Sequence, residues 1–367
     1  LAGTIAVQAA EPPIKIGAVF AITGPASFLG EPERNTAMMI ADEVNKAGGI
    51  NGRQIELVIY DTVGDDTQTV LAVNKLIKQD KVIAIIGPSR SGTTMAAIPV
   101  VEAAQIPLIS CAAAVEIVKP VKKWVFKTPQ TDSECAVRIF EHMQSKGIKK
   151  VALITGTTAF GDAGRKQLKI CAEKMGIEIV ADETYGAKDT DMTAQLTKIK
   201  GTDAQAVVNW EIVPGQSIVP KNMKQLGMTI PLYHSHGFGN VKYIKQAGDA
   251  AEGIICPAGA LLAVDSLPDE HPCKEVLAKY KKDYETRFGG DVSTFGGHAY
   301  DALWLVIDAL RAVGPDKAKI RDYLENKKDF IGTAGVFNFS PEDHNGLTKE
   351  AFQMLVVKDG KFTLLKE

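Results

Sequence analysis

The chain alternates short apolar runs with longer stretches in which apolar residues recur every three or four positions. Ile14-Lys15-Ile16-Gly17-Ala18-Val19-Phe20 is too short for a helix and reads as a buried strand, followed by a Thr23-Gly24-Pro25 loop. Ala37, Ile40, Ala41 and Val44 then fall on one helical face, and Gly48-Gly49 stops that helix. A strand over 54–60 precedes a helix carrying Val70, Val73, Leu76 and Ile77 on one side. The β-branched run 82–86 has the character of a central parallel strand, and another strand is predicted at 107–110. A second series of the same kind starts near Thr131, with strands predicted at 151–155, 177–182, 206–209, 232–234 and 253–255 and helices between them. Two long helices follow, 273–288 and 294–313. The second is apolar nearly all round (Leu303, Trp304, Leu305, Val306, Ile307) and is expected to be buried. The chain ends in strands at 352–358 and 362–365, joined by the hairpin signal Asp359-Gly360.

Alternating β and α units imply parallel sheets with helices on both faces, and 367 residues accommodate two of them. The fold class is therefore α/β, with two doubly wound parallel-sheet lobes. Ligands of such folds sit beyond the carboxyl ends of the strands, which directs attention to the loops that follow them.

Composition narrows the function classes. Hydrophobic residues make up 45% and charged residues 23%, which excludes a disordered chain or a fibrous repeat. With 42 basic and 44 acidic residues the net charge is −2, which argues against nucleic acid as a partner. No uncharged apolar run reaches bilayer-spanning length. The first ten residues are small and apolar, and Val7-Gln8-Ala9 suits signal-peptidase cleavage, so residues 1–10 read as a signal-peptide remnant with Glu11-Pro12-Pro13 opening the mature chain. The competing reading is a plain N-terminal tail, since no basic n-region is present. Leu1-Ala2-Gly3 resembles a lipobox, but Thr4 stands where the lipidated Cys would be. Export to a periplasmic or other extracytoplasmic location, without a lipid anchor, is expected. The five cysteines (Cys111, Cys135, Cys171, Cys256, Cys273) contain no CxxC pair, so zinc-ribbon and thioredoxin-like chemistry have no warrant.

Four loops carry candidate chemistry. Gly87-Pro88-Ser89-Arg90-Ser91-Gly92-Thr93-Thr94 joins a strand to a helix and offers free backbone N–H groups to an anion, with Ser91 at the expected N-cap. It lacks the GxxxxGK[ST] of a P-loop, and it ends in Ser where a nucleophile elbow needs Gly. Ser110-Cys111-Ala112-Ala113-Ala114 lets a ligand approach the backbone; Cys111 has no activating base nearby and reads as an inert buried thiol. Thr155-Gly156-Thr157-Thr158-Ala159-Phe160-Gly161 presents one aromatic and has no GxGxxG. In Leu232-Tyr233-His234-Ser235-His236-Gly237, the two histidines would share one face of a strand, half of a metal site with no third ligand spaced to complete it. Asn209-Trp210-Glu211 ends a further strand, with Glu211 either in the cleft or a solvated charge.

In this order the pieces resemble the amino-acid-type solute-binding proteins of ABC importers, the group around the Leu/Ile/Val-binding protein. The resemblance runs from about Ile14 to the C-terminus. It rests on Ile16-Gly17 through Thr23-Gly24-Pro25, on Val44-Asn45-Lys46-Ala47-Gly48-Gly49-Ile50-Asn51-Gly52 and on Ile86-Gly87-Pro88 with Ser91. Phe160-Gly161, Gly248-Asp249-Ala250-Ala251-Glu252-Gly253 and His298-Ala299-Tyr300-Asp301-Ala302 complete it.

The resemblance implies a type I periplasmic-binding fold with hinge crossings near 128–131, 256–259 and 338–345. Lobe 1 is then 11–128 with 259–340, and lobe 2 is 129–258 with 341–367. It also implies a monomer that captures a small carboxylate by hinge closure and delivers it to a membrane permease. No chemistry on the ligand, no cofactor and no metal are expected. In amino-acid-binding members the carboxylate is held by a Ser matching Ser91 and by the loop matching Ala112 to Ala114, where the last position is commonly Thr. The aromatic beside the ligand matches Phe160, and the acidic residue that holds the ammonium corresponds to His236. Leaving a buried ammonium without a carboxylate costs several kcal/mol, so His236 favours an acid without an α-amino group, organic or aromatic. Phe160, Trp210, Tyr233 and Phe28 would supply apolar walls, Arg90 adjoins the anion loop, and Glu211, if turned inward, would restore an amino-acid site. A branched-chain or other amino-acid-binding protein, and a ligand-sensing receptor domain, are the alternatives. An enzyme would have to be built from Cys111 with His236 or His298.

Overall fold

The computed structural model describes residues 11–366, so the signal-remnant reading of residues 1–10 lies outside the described part. The first half of the chain forms β1 (Ile14–Phe20), α1 (Ser27–Lys46), β2 (Ile55–Asp61), α2 (Asp66–Lys75), β3 (Ile85–Ile86), α3 (Ser91–Ala104), β4 (Leu108–Ser110) and β5 (Val125–Lys127). The second βα series is α4 (Asp132–Ser145), β6 (Lys150–Gly156), α5 (Ala159–Met175), β7 (Glu178–Tyr185), α6 (Thr193–Lys200), β8 (Ala206–Trp210), α7 (Val219–Gln225), β9 (Leu232–His234), α8 (Val241–Ala247) and β10 (Ile255–Gly259). The chain then runs through α9 (Lys274–Phe288), α10 (Thr294–Val313), α11 (Lys317–Glu325), β11 (Phe330–Ile331), β12 (Val336–Phe337), β13 (Phe352–Lys358) and β14 (Lys361–Leu364).

Two main sheets result. One has the order β2-β1-β3-β4-β5 and is parallel throughout. The other has the order β14-β13-β10-β9-β8-β6-β7; its five βα strands are parallel, while β13 runs antiparallel to β10 and β14 antiparallel to β13. The antiparallel edge is the terminal hairpin that Asp359-Gly360 signals in the sequence. The hairpin is set by Asp359 and Gly360, both at positive φ (52° and 71°), the backbone a tight two-residue turn requires. The predicted strand at 253–255 begins at Ile255 instead, because Gly253 sits at φ +80° in the turn before it and the small residues Pro257, Ala258 and Gly259 carry no alternation signal. The run 82–86 narrows to two strand residues, though all but one of its side chains are buried.

Helix α10 is buried nearly all round, as its composition requires, and lies against α1 beside the first sheet. The chain passes between the sheets after β5, after β10 and between β12 and β13. The first and last of these passages are tied side by side: Lys127 N donates to His344 O (3.1 Å) and Asn345 Nδ2 to Pro129 O (2.8 Å). Gln130 Nε2 donates to Ala334 O (2.8 Å), and Thr128 Oγ1 to His298 O at the start of α10 (2.9 Å). Paired backbone strands of this kind can bend together while resisting independent movement.

All five cysteines are buried and free.

Candidate functional site

The carboxyl ends of the parallel strands of both sheets face one cleft, which narrows to a pocket of about 330 Å³ that stays partly open to solvent. One wall is the turn after β3 (Ser89, Ser91), the turn after β4 (Cys111, Ala112, Ala113) and Leu29 of α1. The opposite wall is Phe160 at the start of α5, Ile212 after β8, and His236 with Gly237 after β9; Pro129, Phe295 and His298 close the hinge side. The lobes touch at the rim. Lys242 pairs with Glu31 (2.6 Å), Lys166 with Glu116 (3.0 Å), and Asn240 Nδ2 donates to Phe28 O (2.9 Å).

The anion side is built by backbone geometry. Gly87 at φ +85° sits so close to β1 that a Cβ there would lie 2.2 Å from Val19 O, and this approach aims the following turn at the cleft. Helix α3 starts at Ser91, with Arg90 as its N-cap and no side chain bonding its first N–H groups. Ser91 is therefore not the cap its sequence position suggests. Its Oγ instead accepts a hydrogen bond from Ala114 N (3.3 Å), which leaves the hydroxyl proton free. An uncapped helix start beside a free hydroxyl is a receptor for a carboxylate.

Ser89 extends that side. Its Oγ accepts from Ala21 N (2.9 Å) and is paired with Glu33, whose side chain is completely buried in α1. Burial raises the Glu33 carboxyl well above its ordinary range, with the Ser89 bond opposing, and its Oε1 has no partner. Burial likewise pushes the Cys111 thiol up, with Glu33 adding to the effect, so Cys111 is the inert thiol its surroundings suggest.

The other wall is aromatic around a histidine. The His236 ring lies edge-on to Phe160 (5.5 Å), Trp210 (5.8 Å) and Phe352 (5.5 Å), and neither of its nitrogens has a partner. Burial, then Lys127 and His298, hold it well below the usual histidine range, so it is neutral. His298 is pushed down to about 3 by burial and then Lys127, and its Nδ1 is also unpartnered. Lys127 itself is buried at the hinge, where it donates to Pro129 O (2.6 Å); burial lowers it, and the nearby Asp132 carboxylate opposes that shift.

Of the residues singled out in the sequence, Ser91, Ala112, Phe160 and His236 meet in the cavity wall. The others do not line it. Ala114 lies behind Ser91 as its donor. Arg90 turns away to Gly64 O (2.7 Å). Trp210 backs Phe160 and His236 from beneath, and Tyr233 hydrogen-bonds His142 (2.9 Å). Phe28 packs against Tyr243 at the cleft rim (5.2 Å). Glu211 is neither solvated nor free: its Oε1 accepts from Thr158 Oγ1 (2.7 Å) and Ile212 N (2.8 Å). Gly156 and Gly161 make room for it, since a Cβ on Gly156 would fall 1.8 Å from Glu211 Oε2. His234 ends β9 and packs at a tilt against Phe238 (4.3 Å) while His236 opens the next turn, so the two do not share a strand face. Among the described residues no group of three or more His, Cys, Asp or Glu could hold a metal.

Sequence reasoning missed Leu29, Ser89, Phe295 and His298 as lining residues. Phe295 and His298 stand three apart in the first turns of α10, on one helical face, and a histidine in an otherwise apolar helix was the available signal.

Comparison with known proteins agrees with this architecture. Residues 13–361 match the model of a family described as periplasmic binding protein. The leucine-, isoleucine-, valine-, threonine- and alanine-binding protein of Pseudomonas aeruginosa is 30% identical over 260 residues, 70% of this chain and 69% of that protein. A solved extracellular ligand-binding receptor from Rhodopseudomonas palustris HaA2 superposes with a TM-score of 0.90 at 28% identity, covering 97% of this chain and 100% of that one. The branched-chain amino acid transporter substrate-binding protein of Streptococcus pneumoniae, solved with isoleucine, gives 0.85 at 30% identity, with 97% and 100% covered.

Proposed function

This chain belongs to the periplasmic binding protein family, in the Leu/Ile/Val-binding group of its type I members, and is a solute-binding protein; we propose that its solute is a small carboxylic acid without an α-amino group. The cleft captures the acid by closure of lobe 1 (11–128 with 259–340) onto lobe 2 (129–258 with 341–367), and the loaded protein hands it unchanged to the membrane permease of an ABC importer outside the cytoplasm.

The observation that carries this reading is the charge of the cavity wall: among the described residues no acidic side chain lines it, while a free Ser91 hydroxyl and an uncapped helix start face an anion. An ammonium would meet two neutral imidazoles and the field of Lys127, with no carboxylate to receive it. The space left between the lobes is narrow. Phe160, Leu29, Ile212 and Phe295 give it apolar walls.

A branched-chain amino acid is the second reading, favoured by what the Pseudomonas and Streptococcus relatives bind. Calorimetric titration with pairs such as 4-methylpentanoate and leucine, or 3-phenylpropanoate and phenylalanine, separates the two. The acid of each pair is expected to bind and to be recovered chemically unchanged. Binding of leucine with no binding of its des-amino partner overturns the proposal, and conversion of the acid overturns the carrier role.

A further inference from the structure

A carboxylate at the Ser91 side of the cavity leaves the histidine side without hydrogen-bond partners. His236 and His298 are 6% and 5% exposed, and both line the cavity from different elements, the turn after β9 and the first turns of α10. Both His236 nitrogens and His298 Nδ1 are buried without any partner in the protein. Such groups are costly to leave unpaired, and structures rarely retain them unless something binds there. The neighbours do not supply the missing bonds. The rings of Phe160, Trp210 and Phe352 pack edge-on around His236 and offer its nitrogens no acceptor or donor. Ser89 is engaged by Glu33 and Ala21, and the free proton of Ser91 is the one assigned to the carboxylate.

We infer that the ligand carries a hydroxyl group besides its carboxylate, and that His236 and His298 hold this hydroxyl as donor and acceptor. The inference rests on the carboxylate reading above. A neutral imidazole offers one N–H and one bare nitrogen, and a hydroxyl donates once and accepts, so a hydroxyl between the two rings accepts from one and donates to the other without charge, pairing two of the three orphaned nitrogens. A methyl group or a ring hydrogen in that place would leave the nitrogens unpaired.

The hydroxyl could be phenolic or the 2-hydroxyl of an aliphatic acid, and matched series tell these apart. The probes are 3- and 4-hydroxybenzoate against benzoate, and 2-hydroxy-4-methylpentanoate against 4-methylpentanoate. Titration calorimetry is run on the wild-type protein and on His298→Leu, His298→Gln and His236→Phe, each first checked for a wild-type-like thermal unfolding transition. In one series the hydroxylated acid is expected to bind about tenfold tighter than its parent. That gap should shrink to within about twofold in His298→Leu and His236→Phe and return in part in His298→Gln, which keeps a donor and an acceptor. The series that shows the gap identifies the hydroxyl. If parent and hydroxylated acids bind equally in both series, or if the gap survives both apolar variants, the hydroxyl assignment is wrong while the carboxylate reading stands. If no acid binds and leucine does, the carboxylate reading itself fails.

Discussion

Replacing Ser91 by alanine tests the anion side of the cavity with the least disturbance elsewhere. The Ser91 Oγ accepts from Ala114 N at 3.3 Å, so its own proton is available to a ligand carboxylate, and the side chain is buried where water cannot replace it. A hydrogen bond to a charged group contributes about 1.5–3 kcal/mol, which corresponds to a roughly 10- to 150-fold rise in Kd. The α3 N–H groups remain in the variant, so binding should weaken without disappearing. Removal of Oγ also leaves the Ala114 N–H without its acceptor, which lowers the stability of the empty protein by about 1–3 kcal/mol. The two effects are read separately, the first by calorimetric titration with the tightest-binding acid and the second by urea unfolding without ligand. Ser91→Thr keeps the hydroxyl and should stay within a few-fold of wild type. An Ser91→Ala affinity within about twofold of wild type, at full occupancy, would refute the assignment of this hydroxyl to the carboxylate.

Three further outcomes follow from the same geometry. His236→Glu places a carboxylate where the resemblance to amino-acid-binding members implies one, and should move preference from an acid to its amino-acid counterpart in paired titrations; an unmoved preference removes position 236 from the amine side. Glu33 is held protonated by burial, so the fold binds a proton there more tightly than the unfolded chain does. Its contribution is therefore complete below the ordinary carboxylate pKa and is lost as pH rises through the raised folded value, and Glu33→Gln should flatten the decline of urea stability on the alkaline side; an unchanged slope excludes Glu33 as its source. Lys242 and Glu31 bridge the rim while both are more than two-fifths exposed, so Lys242→Ala should weaken binding only by the few-fold expected of about 0.2–1 kcal/mol, through faster release in stopped-flow traces and more visibly at low salt.

Much of the architecture was legible because helical and strand periods differ and the strands are apolar on both faces. The carboxyl-end rule then points to the loops of Ser91, Ala112, Phe160 and His236, which meet in the cavity wall. What escaped were decisions made by tertiary packing. Whether Glu211 faced the cleft depended on the space left by Gly156 and Gly161, which lets its carboxylate turn onto Thr158 and Ile212. Arg90 looked like an anion ligand by adjacency, yet Gly64 O draws it away. Tyr233 occupies the middle of β9, and its hydroxyl is committed to His142. Ser89 gained its place through Glu33, which is 56 residues away, a partnership that no local pattern encodes. His298 and Phe295 reached the cavity because α10 returns to the hinge after the chain leaves the second sheet at β10.

The central claim is that the cavity takes an acid and rejects its α-amino counterpart. A thermal-unfolding comparison of the full chain with equal concentrations of 4-methylpentanoate and leucine, benzoate, and phenylalanine with 3-phenylpropanoate tests it most directly, because only a ligand of the folded form raises Tm. The account expects at least one of the acids to raise Tm and the two amino acids to leave it unchanged. A rise with leucine or phenylalanine and none with the acids would contradict it.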